Sequence, residues 1–234
     1  MIKLHEKATR GRTTTGWLNS FHTFSFGSFN DPTRMGFGNL RVLNEDTIAP
    51  GSGFAPHDHS DMDILTFVLS GALEHKDDQG NHSRIGKGEI QLMSAGDGVR
   101  HSEFNASRAH PARFLQIWLI PDVPGGQPTY AQASVPEAGQ AVLAAPKGGL
   151  VPLRSRSSIT RLLFEDGDTY ALPENPEALR FLHLVDGMAR ADGENLSAGD
   201  GLQIPPSDAI GLSWISQGEA LLFEMPLTRK DTQK

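Results

Sequence analysis

Short apolar runs separated by turn-forming residues dominate the hydrophobic pattern of the chain. The clearest of these runs are residues 64–69, 89–93, 114–120 and 180–185. Polar Gln91 and Gln116 lie inside two of them, in the alternation expected of half-buried strands. With 25 Gly and 15 Pro interrupting the chain, the pattern predicts an all-β fold, either a sandwich or a barrel.

Turn-forming residues mark the ends of the predicted strands. Segments rich in Asp, Asn and Gly, which tolerate positive φ, predict hairpin tips at residues 77–81, 166–168 and 191–194. Residues 125–128 have the composition of a linker. No long amphipathic helix is evident, and residues 131–145 are the best candidate for a short helix in a connector.

Two stretches of the chain, residues 67–93 and 184–204, share one order of strands and turns. Each has a strand, a Gly, a strand, an Asp/Gly hairpin, a Gly-acid turn and a final strand, although the second hairpin is shorter. This internal repeat indicates two similar halves. We therefore expect a domain at residues 1–124, a linker at 125–145 and a second domain at 146–234.

Composition and charge narrow the functional classes. The formal net charge of the 234 residues is -7, with Lys and Arg interspersed among acids, which argues against direct nucleic-acid binding. No apolar run approaches the roughly 18 residues that cross a bilayer, and the first residues lack the apolar core of a signal peptide. We therefore expect a cytoplasmic protein with no membrane partner. Because the chain has no Cys, any metal must be held by His and carboxylates.

Two pairs of metal-ligand residues have i, i+2 spacing: His57 with His59, and His101 with Glu103. On a strand, residues i and i+2 point to one face about 6.6 Å apart, whereas on a helix they diverge. Two such pairs on neighbouring strands of a barrel would bring three imidazoles and a carboxylate together inside it. This donor set suits Fe(II), Mn(II), Ni(II), Cu(II) or Zn(II), with a position left open for substrate. The simpler alternative is that such a pair occurs by chance on an exposed strand or turn. The presence of a second pair in an all-β chain disfavours this alternative.

The surrounding residues resemble the motifs of the cupin superfamily. Residues similar to its first motif are Gly51, His57, His59, Asp63 and Gly71, and residues similar to its second are Gly98, His101 and Asn105. Within that superfamily the chain resembles the pirins. The stretches that carry this resemblance cover most of the first half and are residues 21–26, 36–42, 57–66, 93–96 and 98–105.

The resemblance implies a bicupin, in which two double-stranded β-helix (jelly-roll) barrels pack together in one chain. It implies that the first barrel binds one divalent transition metal through His57, His59, His101 and Glu103. Fe(II) is expected first, with Cu, Mn, Ni or Zn as alternatives. The second half has no His-x-His, so no ligand is expected there. Bacterial pirins are described as quercetin dioxygenases, which release carbon monoxide from a flavonol, whereas eukaryotic pirins act as iron-dependent nuclear cofactors.

Three functional hypotheses from different classes remain open. In the first, a metal-dependent dioxygenase of quercetinase type binds a small planar aromatic substrate and O2, and Glu103 is the catalytic residue that takes the substrate's proton. In the second, a non-enzymatic, redox-responsive metalloprotein acts through a protein partner. In the third, the metal serves an isomerase or a hydrolase, since the fold does not fix the chemistry.

Other residues near the predicted site are expected to have supporting or structural roles. Asp63 stands where many cupins have Glu, and we expect it to orient a ligating imidazole rather than bind the metal. For the remaining histidines we expect a structural hydrogen bond at His75, packing at His22 and His183, and surface positions at His5, His82 and His110. Apolar residues that could line a pocket, although most would be ordinary core, are Met35, Phe37, Phe54, Met62 and Phe104.

Overall fold

The computed structural model of the chain describes residues 2–227. In this part of the chain the regular structure is almost entirely β, with one short 3-10 helix at Lys7–Thr9. The strands, numbered along the chain, are β1 (Lys3–His5), β2 (Gly11–Thr14), β3 (Leu18–His22), β4 (Leu40–Ile48), β5 (Gly53–His59), β6 (Asp63–Ser70), β7 (Ala72–Asp77), β8 (His82–Gly86), β9 (Glu89–Ser94), β10 (Val99–Asn105), β11 (Ala112–Leu119), β12 (Thr129–Ser134), β13 (Ala141–Ala145), β14 (Val151–Pro152), β15 (Ser158–Phe164), β16 (Thr169–Leu172), β17 (Ala178–Asp186), β18 (Met188–Ala191), β19 (Glu194–Ser197), β20 (Gly201–Ile204), β21 (Ile210–Trp214) and β22 (Gly218–Pro226).

Strand pairing arranges these elements into two similar halves, each built from a seven-stranded and a four-stranded sheet. The first half has the strand orders β12-β9-β6-β11-β4-β3-β2 and β5-β10-β7-β8. The second half has the orders β1-β20-β17-β22-β15-β13-β14 and β16-β21-β18-β19. In each half, buried side chains from the two sheets pack against each other and enclose an interior. The predicted all-β fold is confirmed.

The repeat in the sequence corresponds to the same four-strand unit in both halves. In the first half β6 pairs with β9 around the hairpin β7–β8, and in the second β17 pairs with β20 around the hairpin β18–β19. The glycine after the first strand has positive φ in both units, 75° at Gly71 and 80° at Gly187. A Cβ at either glycine would lie less than 3.0 Å from backbone of a neighbouring strand or turn. The predicted repeat is confirmed, and it makes Thr66 equivalent to Leu182.

Apolar side chains join the two halves through the outer faces of their seven-stranded sheets. Leu65 and Phe67 of β6 and Phe223 of β22 belong to one buried cluster that spans both halves. Each such side chain contributes about 1.5–3 kcal/mol when fully buried. Because side chains alternate along a strand, Thr66 on β6 and Leu222 on β22 point instead into the two interiors.

The segment predicted as a linker, residues 125–145, holds two strands. β12 extends the first half by pairing with β9, and β13 pairs with β15 in the second half. The short helix predicted at residues 131–145 is therefore wrong, because long-range strand pairing takes up its backbone groups and overrides the helix propensity of its alanines. β1 also joins the two halves: it lies at the start of the chain but pairs with β20 of the second half.

Two of the three predicted hairpin tips are confirmed. Residues 77–81 connect β7 to β8, and residues 191–194 connect β18 to β19, where Asp192 has a φ of 47°. Residues 166–168 instead connect β15 to β16, which belong to different sheets of the second half, so the hairpin predicted there is wrong. Turn residues fix a change of chain direction but do not determine which strands pair.

Candidate metal centre

Three histidines converge on the inner face of the sheet β5-β10-β7-β8. β5 and β10 are antiparallel neighbours, with His101 directly opposite His57, and His59 lies two residues further along β5. Asp58, between the two histidines of β5, and Arg100, opposite it on β10, are exposed and form a salt bridge of 2.8 Å. One ring nitrogen of each histidine lies within 4.8 Å of one from each of the other two. The structure thus brings three of the four predicted ligands together.

The ring nitrogens of this cluster fit a metal ion. The Nε2 atoms of His59 and His101 are buried and have no hydrogen-bond partner among the described residues. The Nδ1 of His57 lies 2.8 Å from the carbonyl oxygen of Ala55, so it carries the proton and leaves Nε2 with a free lone pair. Buried polar atoms without a partner cost free energy unless something binds them. Three imidazole nitrogens form a donor set that can hold one divalent metal ion.

Burial favours the neutral form of His59 and His101, which ligation requires. Desolvation, followed by the charge of His57, lowers the pKa of His59 to about 4. Desolvation, followed by the charges of His57, His59 and His75, lowers the pKa of His101 to about 2. Because protons compete with a metal for ring nitrogens, low pKa values favour metal binding at neutral pH.

Glu103 lies beside the cluster within a set of hydrogen-bond donors. Its Oε1 accepts hydrogen bonds from Gln91 Nε2 (2.7 Å) and Thr66 Oγ1 (3.2 Å), and its Oε2 accepts one from Gln116 Nε2 (3.1 Å). One of its oxygens is within 4.8 Å of a ring nitrogen of His101, but the carboxylate is not part of the three-histidine group. Desolvation of this buried carboxyl raises its pKa. The roles of Glu103 as a ligand and as a base stay predictions.

His75 and Asp77 support His101 from the neighbouring strand β7. His75 Nε2 donates a hydrogen bond to Asp77 Oδ2 (3.0 Å), and His75 Nδ1 faces His101 Nδ1 at 3.5 Å. With its proton on Nε2, His75 can accept the Nδ1 proton of His101, which leaves the Nε2 of His101 for a metal. The structural hydrogen bond predicted for His75 is confirmed. The structure also shows that His75 contacts His101, a candidate metal ligand.

Asp63 does not orient an imidazole. Its Oδ2 accepts a hydrogen bond from the backbone N–H of Arg154 (2.7 Å), and its Oδ1 has no hydrogen-bond partner in the described part of the chain. Arg154 follows β14 of the second half, so Asp63 ties the start of β6 to the other half of the molecule. The supporting role predicted for Asp63 beside a ligand is therefore wrong.

A cavity of about 530 Å³ adjoins the histidine cluster. Its lining includes His57, His59 and Glu103 together with the aromatic side chains of Trp17, Phe26 and Trp118. The ring centroids of Trp118 and His59 are 4.9 Å apart, and those of Trp118 and Phe26 are 5.6 Å apart. Cavities of this size with apolar walls and a few polar groups are typical of small-molecule sites. The walls suit a planar aromatic ligand.

Most of the apolar residues predicted near the ligands lie elsewhere. Of the five, Phe54 lines the cavity, Phe37 packs against the central core and Met62 packs inside the first half. Met35 and Phe104 are exposed. The other aromatic residues of the cavity come from β11 and from the segments flanking β3, which are distant in sequence from the histidine pairs. No local sequence signal connected them with the site.

Polar side chains of β3 and β4 line another part of the cavity. His22 is held on both sides, with its Nδ1 2.9 Å from Asn44 Oδ1 and its Nε2 2.9 Å from Thr13 Oγ1. Asp46, two residues after Asn44, is only 3% exposed, and desolvation raises its pKa to about 7. Sequence analysis missed Asp46. The available signal was the alternation of polar Asn44 and Asp46 with other residues along an otherwise buried strand.

The remaining histidines follow their predictions with one exception. His82 and His110 are exposed and His183 is buried on β17, as predicted. The surface position predicted for His5 is wrong: it is 1% exposed and packs edge-on against Phe24 and Phe181. The reason is the pairing of β1 with β20, which carries His5 into the core.

Comparisons with known proteins assign the family. The family model described as pirin matches residues 4–119, and the model described as the quercetinase C-terminal cupin domain matches residues 142–225. The chain is 38% identical over 231 residues to the quercetin 2,3-dioxygenase of Escherichia coli (strain K12), covering 97% of this chain and 99% of that protein. The chain belongs to the pirin family. This pirin is also 35% identical to a pirin-like protein of Caulobacter vibrioides, covering 92% of this chain and 95% of that protein.

Solved structures agree with the fold of this pirin. A bacterial pirin, YhhW from Escherichia coli, has been solved in complex with nickel(II), and it matches with a TM-score of 0.93 and 38% identity. That match covers 97% of this chain and 100% of the other. The resemblance to pirins and the predicted bicupin fold are both confirmed. Within residues 2–227, no helix has the length and apolarity needed to span a bilayer.

Proposed function

We propose that this pirin is a metal-dependent dioxygenase of quercetinase type, which cleaves a flavonol such as quercetin with O2. One observation carries the proposal: three imidazoles whose ring nitrogens lie within 4.8 Å of one another are located beside a cavity with aromatic walls. The similarity to proteins named quercetin 2,3-dioxygenase supports it.

In this proposal His57, His59 and His101 hold the ion, Glu103 completes the ligand set, and Fe(II) is the expected metal. When bound, the ion supplies Lewis acidity toward a substrate hydroxyl and a redox-active centre for O2. The chain supplies the rest. Trp17, Phe26 and Trp118 hold the plane of the substrate and exclude water from the reacting atoms.

Glu103 is the proposed base. A carboxyl whose pKa is raised by burial is suited to accepting a proton from a substrate hydroxyl. The donors of Gln91, Gln116 and Thr66 keep the carboxylate in one orientation while it exchanges the proton. The proton would move from the substrate oxygen to a carboxylate oxygen of Glu103, which leaves an electron-rich ring for attack on O2.

The test is Glu103→Gln, which keeps the size of the side chain but cannot take a proton. We expect oxygen uptake and carbon monoxide release with quercetin to fall by about 100-fold or more, because general bases contribute about 10²–10⁴ in rate. Metal content should fall by much less. Glu194→Gln, at an exposed glutamate of β19, is the matched control and should keep full activity.

Each other outcome supports a different function. Unchanged activity in Glu103→Gln would remove Glu103 from the mechanism. Tight metal binding by the unsubstituted protein without oxygen uptake from any flavonol would contradict the dioxygenase and favour the non-enzymatic metalloprotein with a protein partner. Turnover of a substrate in the absence of oxygen would favour a metal-dependent isomerase or hydrolase.

A further inference from the structure

Asp46 is a buried acid in the cavity with no role in the reaction proposed above. It lies on β4, opposite Ser20 of β3 and Phe114 of β11, and its side chain lines the same cavity as His57. The side chain is 3% exposed, and its Oδ1 has no hydrogen-bond partner in residues 2–227. Asp46 thus lines the cavity with the hydroxyl of Ser20 beside it, and one of its carboxylate oxygens has no partner.

The polar side chains closest to Asp46 on β3, β4 and β11 have hydrogen-bond partners, whereas its Oδ1 has none in residues 2–227. His22 and Asn44 bond to each other at 2.9 Å, and Gln116 Nε2 donates a hydrogen bond to Glu103 Oε2 at 3.1 Å. Among residues 2–227, no arginine or lysine lines this cavity. A buried carboxylate without a cation or a full set of donors opposes folding, and such groups are concentrated at functional sites.

The charged neighbours of Asp46 along its own strand do not relieve it. Glu45, the preceding residue, forms salt bridges with Arg10 (3.0 Å) and Arg113 (2.9 Å). Because successive residues of a strand face opposite ways, these guanidinium groups lie on the other side of β4 from Asp46. The hydroxyl of Ser20 is the donor next to Asp46 in the cavity, and it leaves Oδ1 without a partner among residues 2–227.

We propose that Asp46 binds the substrate directly, with its carboxylate accepting a hydrogen bond from an aromatic hydroxyl other than the one at the metal centre. The inference rests on the proposed function and narrows its substrate class to aromatic compounds with at least two separated hydroxyl groups. One hydroxyl would lie at the histidines and one at Asp46, with the ring system between Trp17 and Trp118. A site that hydrogen bonds a hydroxyl rejects analogues lacking it, because its own buried group then stays unpaired.

The experiment compares two ligands, quercetin and 3-hydroxyflavone, which share the ring system and one hydroxyl but differ in the remaining hydroxyls. Binding is measured at about pH 8, where the carboxyl is ionised, on zinc-loaded full-length protein without oxygen, from the fluorescence quenching of Trp17 and Trp118. The variants are Asp46→Ala, which removes the acceptor, and Asp46→Asn, which keeps an uncharged one. Glu45→Gln is the control, since it removes a carboxylate from the opposite face of the same strand.

Asp46→Ala should lower the affinity for quercetin about tenfold or more, as expected for a hydrogen bond to a charged group, and change that for 3-hydroxyflavone less than about twofold. Asp46→Asn should be intermediate, and its circular dichroism and zinc content report whether the fold is kept. Glu45→Gln should leave the ratio of the two affinities unchanged.

Equal losses for both ligands, or no loss for either, would overturn the assignment of Asp46. It would also be overturned if the unsubstituted protein bound neither ligand. If the selective loss occurs but the iron-loaded protein consumes no oxygen with quercetin, the role of Asp46 stands and the dioxygenase proposal fails.

Discussion

Replacing Asp46 by Asn should stabilise the metal-free protein at alkaline pH and have little effect in acid. The structural reason is the burial of a carboxyl whose Oδ1 has no hydrogen-bond partner among the described residues. Desolvation, with smaller contributions from Glu103 and Glu45, raises its pKa from 3.8 to about 7, although a hydrogen bond with Ser20 opposes the rise. Asn has a similar shape and no charge to desolvate.

The expected size and sign follow from proton linkage. The unfolded chain releases this proton near pH 3.8, whereas the folded protein keeps it until about pH 7. Stability therefore falls as the pH rises through this window, and above it the whole difference, about 4 kcal/mol, opposes folding. Water in the cavity would reduce this, so Asp46→Asn should raise the free energy of unfolding by about 2–4 kcal/mol at about pH 8.

Urea unfolding of the two proteins at about pH 4.5 and 8 measures this difference, with metal removed by chelation. Asp166→Asn, at an exposed residue of a surface turn, is the control and should give no pH-dependent gain. A gain that does not grow with pH would refute the reasoning, because it would mean that the folded protein does not hold Asp46 in its neutral form. A stabilised variant with weaker quercetin binding would show that stability is sacrificed at this position for ligand recognition.

Two further predictions concern the junction of the halves and the metal. Asp63→Ala should destabilise the protein by about 1–3 kcal/mol, because the backbone N–H of Arg154 loses its hydrogen-bond acceptor at a buried position. Metal content should be unchanged, and a loss of metal would show that Asp63 belongs to the metal centre. Metal at about 1,000 times its Kd should add about 4 kcal/mol to the free energy of unfolding. Chelation should remove this gain, and so should His59→Ala, whereas His82→Ala at the surface should keep it; a gain that persists in His59→Ala would contradict the ligand assignment.

Local sequence patterns were sufficient for the features that depend on spacing along one strand. Alternation identified the long strands, and the i, i+2 spacing placed His57 and His59 on one face of β5. The internal repeat was readable because Gly71 and Gly187 occupy positions where a Cβ would meet neighbouring backbone. Such constraints act on single residues, so they are visible in the sequence.

The errors all depend on contacts between distant parts of the chain. His5 looked like a surface residue because nothing nearby indicates that β1 pairs with β20, almost two hundred residues later. Residues 131–145 looked helical because the strands that compete for their backbone groups, β9 and β15, are remote or follow later. Asp46 was missed for a related reason, since only closure of the barrel shows which face of β4 meets the cavity.

The two interiors show why this fold can support chemistry in one half. In the second half Leu182 lies opposite Leu202 and Leu222 across the sheet. In the first half the equivalent residue, Thr66, lies opposite Gln91 and Gln116, which hydrogen bond to Glu103.

We call Leu182, Leu202 and Leu222 the leucine row, and Thr66, Gln91 and Gln116 the polar row. Burying a leucine contributes about 1.5–3 kcal/mol, whereas a hydrogen bond contributes about 0.5–1.5 kcal/mol net. The polar row is therefore the less stabilising of the two. It is favourable only while a buried acceptor is present, because loss of Glu103 would leave several donors unpaired. The second half and the shared core between the large sheets provide the apolar burial that offsets this cost. Stability alone would favour the leucine row in both halves, so the polar row indicates that the first half requires a buried carboxylate at residue 103.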